Sequence, residues 1–202
     1  MMMSVLRTVL LLILAADFAE AQTFRGPYVG VDLGRQHFIG GSLVDGIDTL
    51  QEDSRLVVSV FGGARAQIAR VVFGGELGLG LTDGDLSLTD QLRSLTVDYR
   101  NGSQWHWALQ AGVVAGTKTL VFGYLSEVTR KFDVTITRPG VTTPQQDEQG
   151  MLRFGAGVEY RLTGPLHLRV TAGSARADFG DRATNIPIDK RLEVAAGVVV
   201  QF

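Results

Sequence analysis

The chain has 202 residues, 45% of them apolar and 20% charged, with 25 Gly, 5 Pro, no Cys and a formal net charge of −2. That length suits one domain. The missing cysteines exclude a disulfide scaffold, a thiolate metal centre and a Cys nucleophile, and the near-neutral charge excludes the basic stripe a nucleic-acid partner needs. Glycine stands well above the typical ~7% without a collagen period, which points to β structure with closely approached backbone.

The N-terminal segment reads as a secretory signal peptide. Arg7 precedes the apolar run Thr8–Ala16, and Ala19-Glu20-Ala21 supplies the small-x-small pattern of a cleavage site. The run is far shorter than the ~20 residues of a spanning helix. The expected organisation is therefore 1–21 signal peptide and 22–202 a single β domain.

From there the chain alternates with the period of a strand that has two different faces. Eight strands are expected, at about 27–38, 54–67, 70–82, 102–115, 119–132, 150–162, 165–177 and 190–202. Val29, Val31 and Leu33 open the series against Gly30, Asp32 and Gly34. In the third strand Phe73, Leu77, Leu79 and Leu81 oppose Gly74, Glu76, Gly78 and Gly80. In the fifth, Leu120, Phe122, Tyr124 and Val128 are assigned to the apolar face against Gly123, Glu127 and Lys131. The sixth sets Leu152, Phe154, Val158 and Tyr160 against Arg153, Gly155, Gly157, Glu159 and Arg161. Tight connections near 68–69, 116–118 and 163–164 alternate with polar ones near 39–53, 83–101, 133–149 and 178–189. Strands joined by tight turns are antiparallel neighbours, and eight of them in a meander close to remove their edges.

Such a barrel is either apolar outside and spans a membrane, or apolar inside and soluble like a lipocalin. The apolar face carries no charge through the middle of any strand, as lipid requires. The other face mixes glycines with isolated ionic residues, which suits a narrow lumen. Asp32, Glu76, Glu127, Glu159 and Glu193 balance Arg65, Lys131, Arg153, Arg161 and Arg169 there, and a balanced set can pair its buried charges. The expected fold is an all-β, eight-stranded antiparallel up-and-down transmembrane β-barrel.

With its signal peptide, its opening strand Gly26-Pro27-Tyr28-Val29-Gly30-Val31-Asp32-Leu33-Gly34 and its terminal Val198-Val199-Val200-Gln201-Phe202, the chain resembles the eight-stranded outer-membrane β-barrel family. This is the porin-like group that includes the outer-membrane protein A transmembrane domain. The resemblance implies residence in the outer membrane of a Gram-negative-type bacterium, with outer-membrane lipid as surroundings. It also implies contact with the barrel-assembly machinery during biogenesis, Phe202 being the assembly signal. No peptidoglycan-binding domain is expected after Phe202, so the resemblance is not taken to imply cell-wall anchoring.

Tyr28, Trp105, Trp107 and Tyr160 are assigned to an aromatic girdle at the headgroup level. No cofactor or metal is expected: His37, His106 and His167 are the only histidines, and none has an acidic residue at a ligand spacing. No histidine has a serine two residues after it either. The favoured function is therefore a non-enzymatic barrel with a filled lumen and long exposed loops, serving envelope structure or surface contact. A lipid A deacylase-like hydrolase and a soluble ligand-binding barrel are the alternatives, and the loops name no partner. The turn at Thr163-Gly164-Pro165 sets Glu159 opposite Arg169 and Arg161 opposite His167, so a Glu159–Arg169 ion pair is expected, with Arg161 turned to the rim or to Glu159.

Overall fold

The computed structural model describes residues 23–44, 47–82, 85–90, 94–178 and 192–202. The proposed signal peptide, 1–21, lies outside the described residues, as does most of the connection expected at 178–189. The described residues form nine strands: β1 (Gly26–Val44), β2 (Ile47–Ile68), β3 (Val71–Thr82), β4 (Asp85–Asp90), β5 (Leu95–Ala115), β6 (Thr119–Arg138), β7 (Val141–Thr163), β8 (Leu166–Asp178) and β9 (Glu193–Gln201). Their order around the sheet is β3-β2-β1-β9-β8-β7-β6-β5-β4, and β3 also pairs with β5. β3 and β4 follow one another along the same side of β5, at residues 103–113 and 95–100 respectively. Together they are one stave, and eight antiparallel staves close the barrel.

Alternation decides the facing. Val29, Val31 and Leu33 on β1, Leu77, Leu79 and Leu81 on β3, and Val158, Leu168 and Val170 on β7 and β8 all point outward, with Leu81 71% exposed. An apolar belt this extensive on a soluble protein would drive association; it is what a lipid-facing band requires. The soluble, apolar-inside alternative has the opposite facing.

The turn end is tight. Ala69, Gly116 and Gly164 take positive φ of 53°, 65° and 49° in the β2–β3, β5–β6 and β7–β8 turns. At the other end the structure departs from the expected long loops. β1 and β2 stay paired out to Val44 and Ile47, and β6 and β7 out to Arg138 and Val141. These connections are hairpins that project as sheet. β7 has 23 residues; at about 3.3 Å per residue it is far longer than an apolar band of about 25 Å. Beyond lipid neither face must be apolar, so a stretch such as Thr142-Thr143-Pro144-Gln145-Gln146 on β7 loses the pattern that betrays a strand, although Val134-Thr135-Ile136-Thr137 on β6 keeps its β preference.

One strand faces the opposite way from its expectation. On β6, Leu120, Phe122 and Val128 are buried inside, while Val121 and Leu125 point outward. The cause lies at the turn end of the lumen, which is itself apolar: Phe24, Val72, Val114, Leu120 and Phe122 form one cluster there. With apolar residues on both faces, β6 carries no facing signal of its own.

Candidate functional site

The lumen is the interior that the described residues enclose, and its contents follow from strand register. Large side chains lie across from glycine on the neighbouring stave: Phe61 opposite Gly30, Tyr28 opposite Gly63, His106 opposite Gly78, and Phe122 opposite Gly157. A Cβ on Gly157 would fall within 2.8 Å of the Phe122 ring at Cε1. Each glycine thus gives an inward aromatic room to lie over the backbone, the arrangement that also pins register.

Two ionic clusters occupy this space. In the first, Glu76 Oε2 accepts from Arg169 Nη1 at 2.6 Å and from the Tyr28 hydroxyl at 2.9 Å. Gln110 donates to the Tyr28 oxygen at 2.7 Å, and His106 Nε2 lies 3.5 Å from Glu76 Oε1. In the second, Glu159 Oε1 is 2.9 Å from Arg65 Nη1 and 2.7 Å from His167 Nδ1. Aromatic rings line both guanidinium groups. Arg65 sits 4.0 Å above the Tyr28 ring, and Arg169 lies 4.9 Å and 5.1 Å from the Phe61 and Phe122 rings, in cation–π range. Toward the hairpins, Arg153 pairs with Glu193 at 2.9 Å. Arg130 donates to Gln104 at 2.9 Å and to Gln36 at 3.1 Å. A cavity of about 80 Å³ opens on this side, lined among others by Asp32, Ser59, His106, Tyr124 and Arg153.

Asp32, Arg65, Glu76, Arg153, Glu159, Arg169 and Glu193 therefore share the lumen. Arg161 is at its edge, with Nε bonded to the Gly164 carbonyl at 3.0 Å in the turn. Glu127 and Lys131 are not lumen residues. They follow the reversed facing of β6, and Glu127 instead accepts from Trp107 Nε1 at 2.9 Å on the outer surface. Tyr28 is not a girdle residue either: it is 1% exposed, because residue 28 shares parity with Asp32 rather than with Val29. Trp105 and Tyr160 do face outward.

The register of β7 and β8 is the expected one, Glu159 opposite Arg169 and Arg161 opposite His167. The expected ion pair is not. Arg169 reaches across the lumen to Glu76, and Glu159 takes Arg65 and His167. In a closed barrel an inward side chain meets partners from the opposite wall, which a two-strand argument omits. Arg130 was missed for a related reason: once Tyr124 and Ser126 are placed inside, parity puts Arg130 inside too. Among the described residues no group of three or more His, Asp or Glu is placed to hold a metal.

A closed barrel with an apolar exterior and a paired ionic interior is the architecture of an outer-membrane protein. The family defined as the outer membrane protein beta-barrel domain matches residues 7–202, and the chain belongs to that family. It is thus an outer-membrane β-barrel protein, lodged in the outer membrane of a Gram-negative-type bacterium. No curated protein matches the chain by sequence. Among solved structures, a major outer membrane protein from Thermus thermophilus is 15% identical, with TM-score 0.48 over 87% of this chain and 99% of that one. Neisserial surface protein A is 15% identical, with TM-score 0.46 over 88% and 97%. Ail, the attachment invasion locus protein of Yersinia pestis, is 11% identical, with TM-score 0.47 over 88% and 99%.

Proposed function

We propose that the protein is a non-enzymatic, non-conducting barrel whose filled lumen makes it a rigid mount for the projecting hairpins, serving envelope structure or surface contact. The observation that carries this reading is the commitment of the lumen side chains to one another. Glu76 and Glu159 each hold a guanidinium, the rings of Tyr28, Phe61 and Phe122 fill the space between, and an apolar cluster occupies the turn end. Eight staves leave room for little besides such packing. The lumen histidines join the same network, His106 facing Glu76 and His167 facing Glu159. Planar-bilayer recording on the purified full chain tests the proposal. No sustained channel is expected, whereas steady conductance would overturn the filled-lumen reading. Covalent labelling by a serine-reactive probe would favour a lipid hydrolase instead.

A further inference from the structure

The chain does not enter the barrel along the line of β1. At Gly26 the backbone takes φ +104°, a left-handed bend that favours glycine, and a Cβ there would stand 2.6 Å from the Phe202 carbonyl oxygen. Upstream of the bend, residues 23–25 run across the turn-end mouth rather than away from it. The Phe24 side chain is driven into the lumen, 0% exposed, against Val72, Val114, Leu120 and Phe122. Its ring meets His167 edge-on with centroids 5.2 Å apart, so it seats directly on the Glu159 cluster.

Separate staves hold the segment down. The Phe24 amide donates to Gln67 Oε1 at 2.9 Å, and Gln67 is itself held by the Ala69 carbonyl in the first turn. The Thr23 hydroxyl reaches the Thr117 carbonyl in the second turn at 3.5 Å. From the last stave, Gln201 donates to the Arg25 carbonyl at 3.1 Å and to that of Pro27 at 2.8 Å. A hinge, a closing side chain and polar latches are all present, and Thr23, Phe24 and Arg25 themselves lie outside the pairing that builds the staves.

We propose that residues 23–25 are a hinged stopper that closes the turn-end mouth of the lumen, with Phe24 as the closing side chain. Short turns mark the periplasmic end of such barrels, so the stopper separates the lumen from periplasmic water and small ions.

The absence of native cysteine permits a direct test. A Val72→Cys reporter is placed beneath Phe24, and Ser126→Cys serves as the reporter on the hairpin side. Each is reacted, in the full chain reconstituted in phospholipid vesicles, with a small membrane-impermeant thiosulfonate. Phe24→Ala is expected to speed labelling at position 72 by about ten-fold, because thiol reactivity follows access, and to leave position 126 unchanged. Phe24→Leu should restore slow labelling. Gel heat-modifiability establishes in each case that the barrel is closed. Fast labelling at position 72 with Phe24 intact would overturn the proposal, as would acceleration at both positions. A barrel that forms only with Phe24 present would overturn it equally, since that residue would then be core rather than closure.

Discussion

At the scale of single residues the lumen is governed by what a buried charge requires. Glu76 is the acceptor for Arg169 and Tyr28 together, and both members of the ion pair are nearly solvent-free, Arg169 at 8% and Glu76 at 7% side-chain exposure. Removing one partner of such a pair leaves the other charge uncompensated, at a cost of about 3–5 kcal/mol. Glu76→Ala should lower unfolding free energy by that order in urea titrations of the lipid-embedded barrel. The double variant Glu76→Ala/Arg169→Met should lose less than the sum of the singles, because the two groups are coupled. A loss below about 1 kcal/mol in the single variant would mean the pair is worth no more than a surface one. Glycine size obeys a parallel rule with a sharp facing dependence. An Ala Cβ at Gly30 would meet the Phe61 ring and stand 2.8 Å from the Val198 oxygen, whereas at Gly62 the nearest atom is 3.5 Å away. Gly30→Ala should therefore destabilise by about 1–3 kcal/mol through overpacking, and Gly62→Ala by less than about 0.5 kcal/mol. Equal effects in the same titration would show that inward and outward glycines are not distinguished by packing.

Single elements show how far the pattern of residues could be read. On β1, β3, β7, β8 and β9 the lipid-facing residues alternate clearly enough, despite the inward Val72 and Val199, that strand, facing and even the Glu159–Arg169 register were legible without coordinates. β6 was not, because Leu120 and Phe122 line an apolar lumen end while Val121 and Leu125 meet lipid. Hydrophobicity reports burial from water, and here both faces are shielded from water by different means. The hairpin extensions were harder to read for another cause: outside the membrane a face need not be apolar, so polar runs such as Pro144–Glu148 occupy strand positions, although Val97 and Val134 are buried there. Facing on β6 has a spectroscopic consequence. In a background of Trp105→Phe and Trp107→Phe, the only two native tryptophans being removed, a Leu125→Trp indole should be strongly quenched by brominated lipid. A Tyr124→Trp indole should be quenched little, since Tyr124 packs against the inner cluster. The reverse ranking would restore the facing in which Glu127 and Lys131 enter the lumen. The outer-surface position of Glu127 makes chemical sense only near headgroups, where Trp107 can donate to it and the ~2–4 kcal/mol penalties for the most costly charges at the bilayer midplane have fallen away.

For the whole molecule, closure depends on the seam between the first and last staves, where Tyr28–Arg35 pairs with Val194–Gln201. Phe202 ends that seam, and two of its parts act differently. Its backbone amide donates to the Pro27 carbonyl at 2.9 Å, completing the ladder. Its side chain is 70% exposed on the outside and contributes nothing to the lumen. If the ring is there to hold the barrel shut, replacing it should lower stability. If it is read during insertion, as the resemblance of the final strand to an assembly signal implies, replacement should leave the finished barrel as stable as before and reduce how much is made. Phe202→Ser separates these outcomes because it keeps the amide and removes only the ring. The expected result is an unfolding free energy for the purified barrel within about 0.5 kcal/mol of the parent, as for substitutions away from packed features. Outer-membrane yield should fall and unassembled chain should accumulate in the periplasm. Unchanged yield would show that the ring is not read, and a lowered stability would assign it to the seam. The first result would leave the fold untouched, because register, facing and closure all rest on the paired backbone and the lumen contacts rather than on this last side chain.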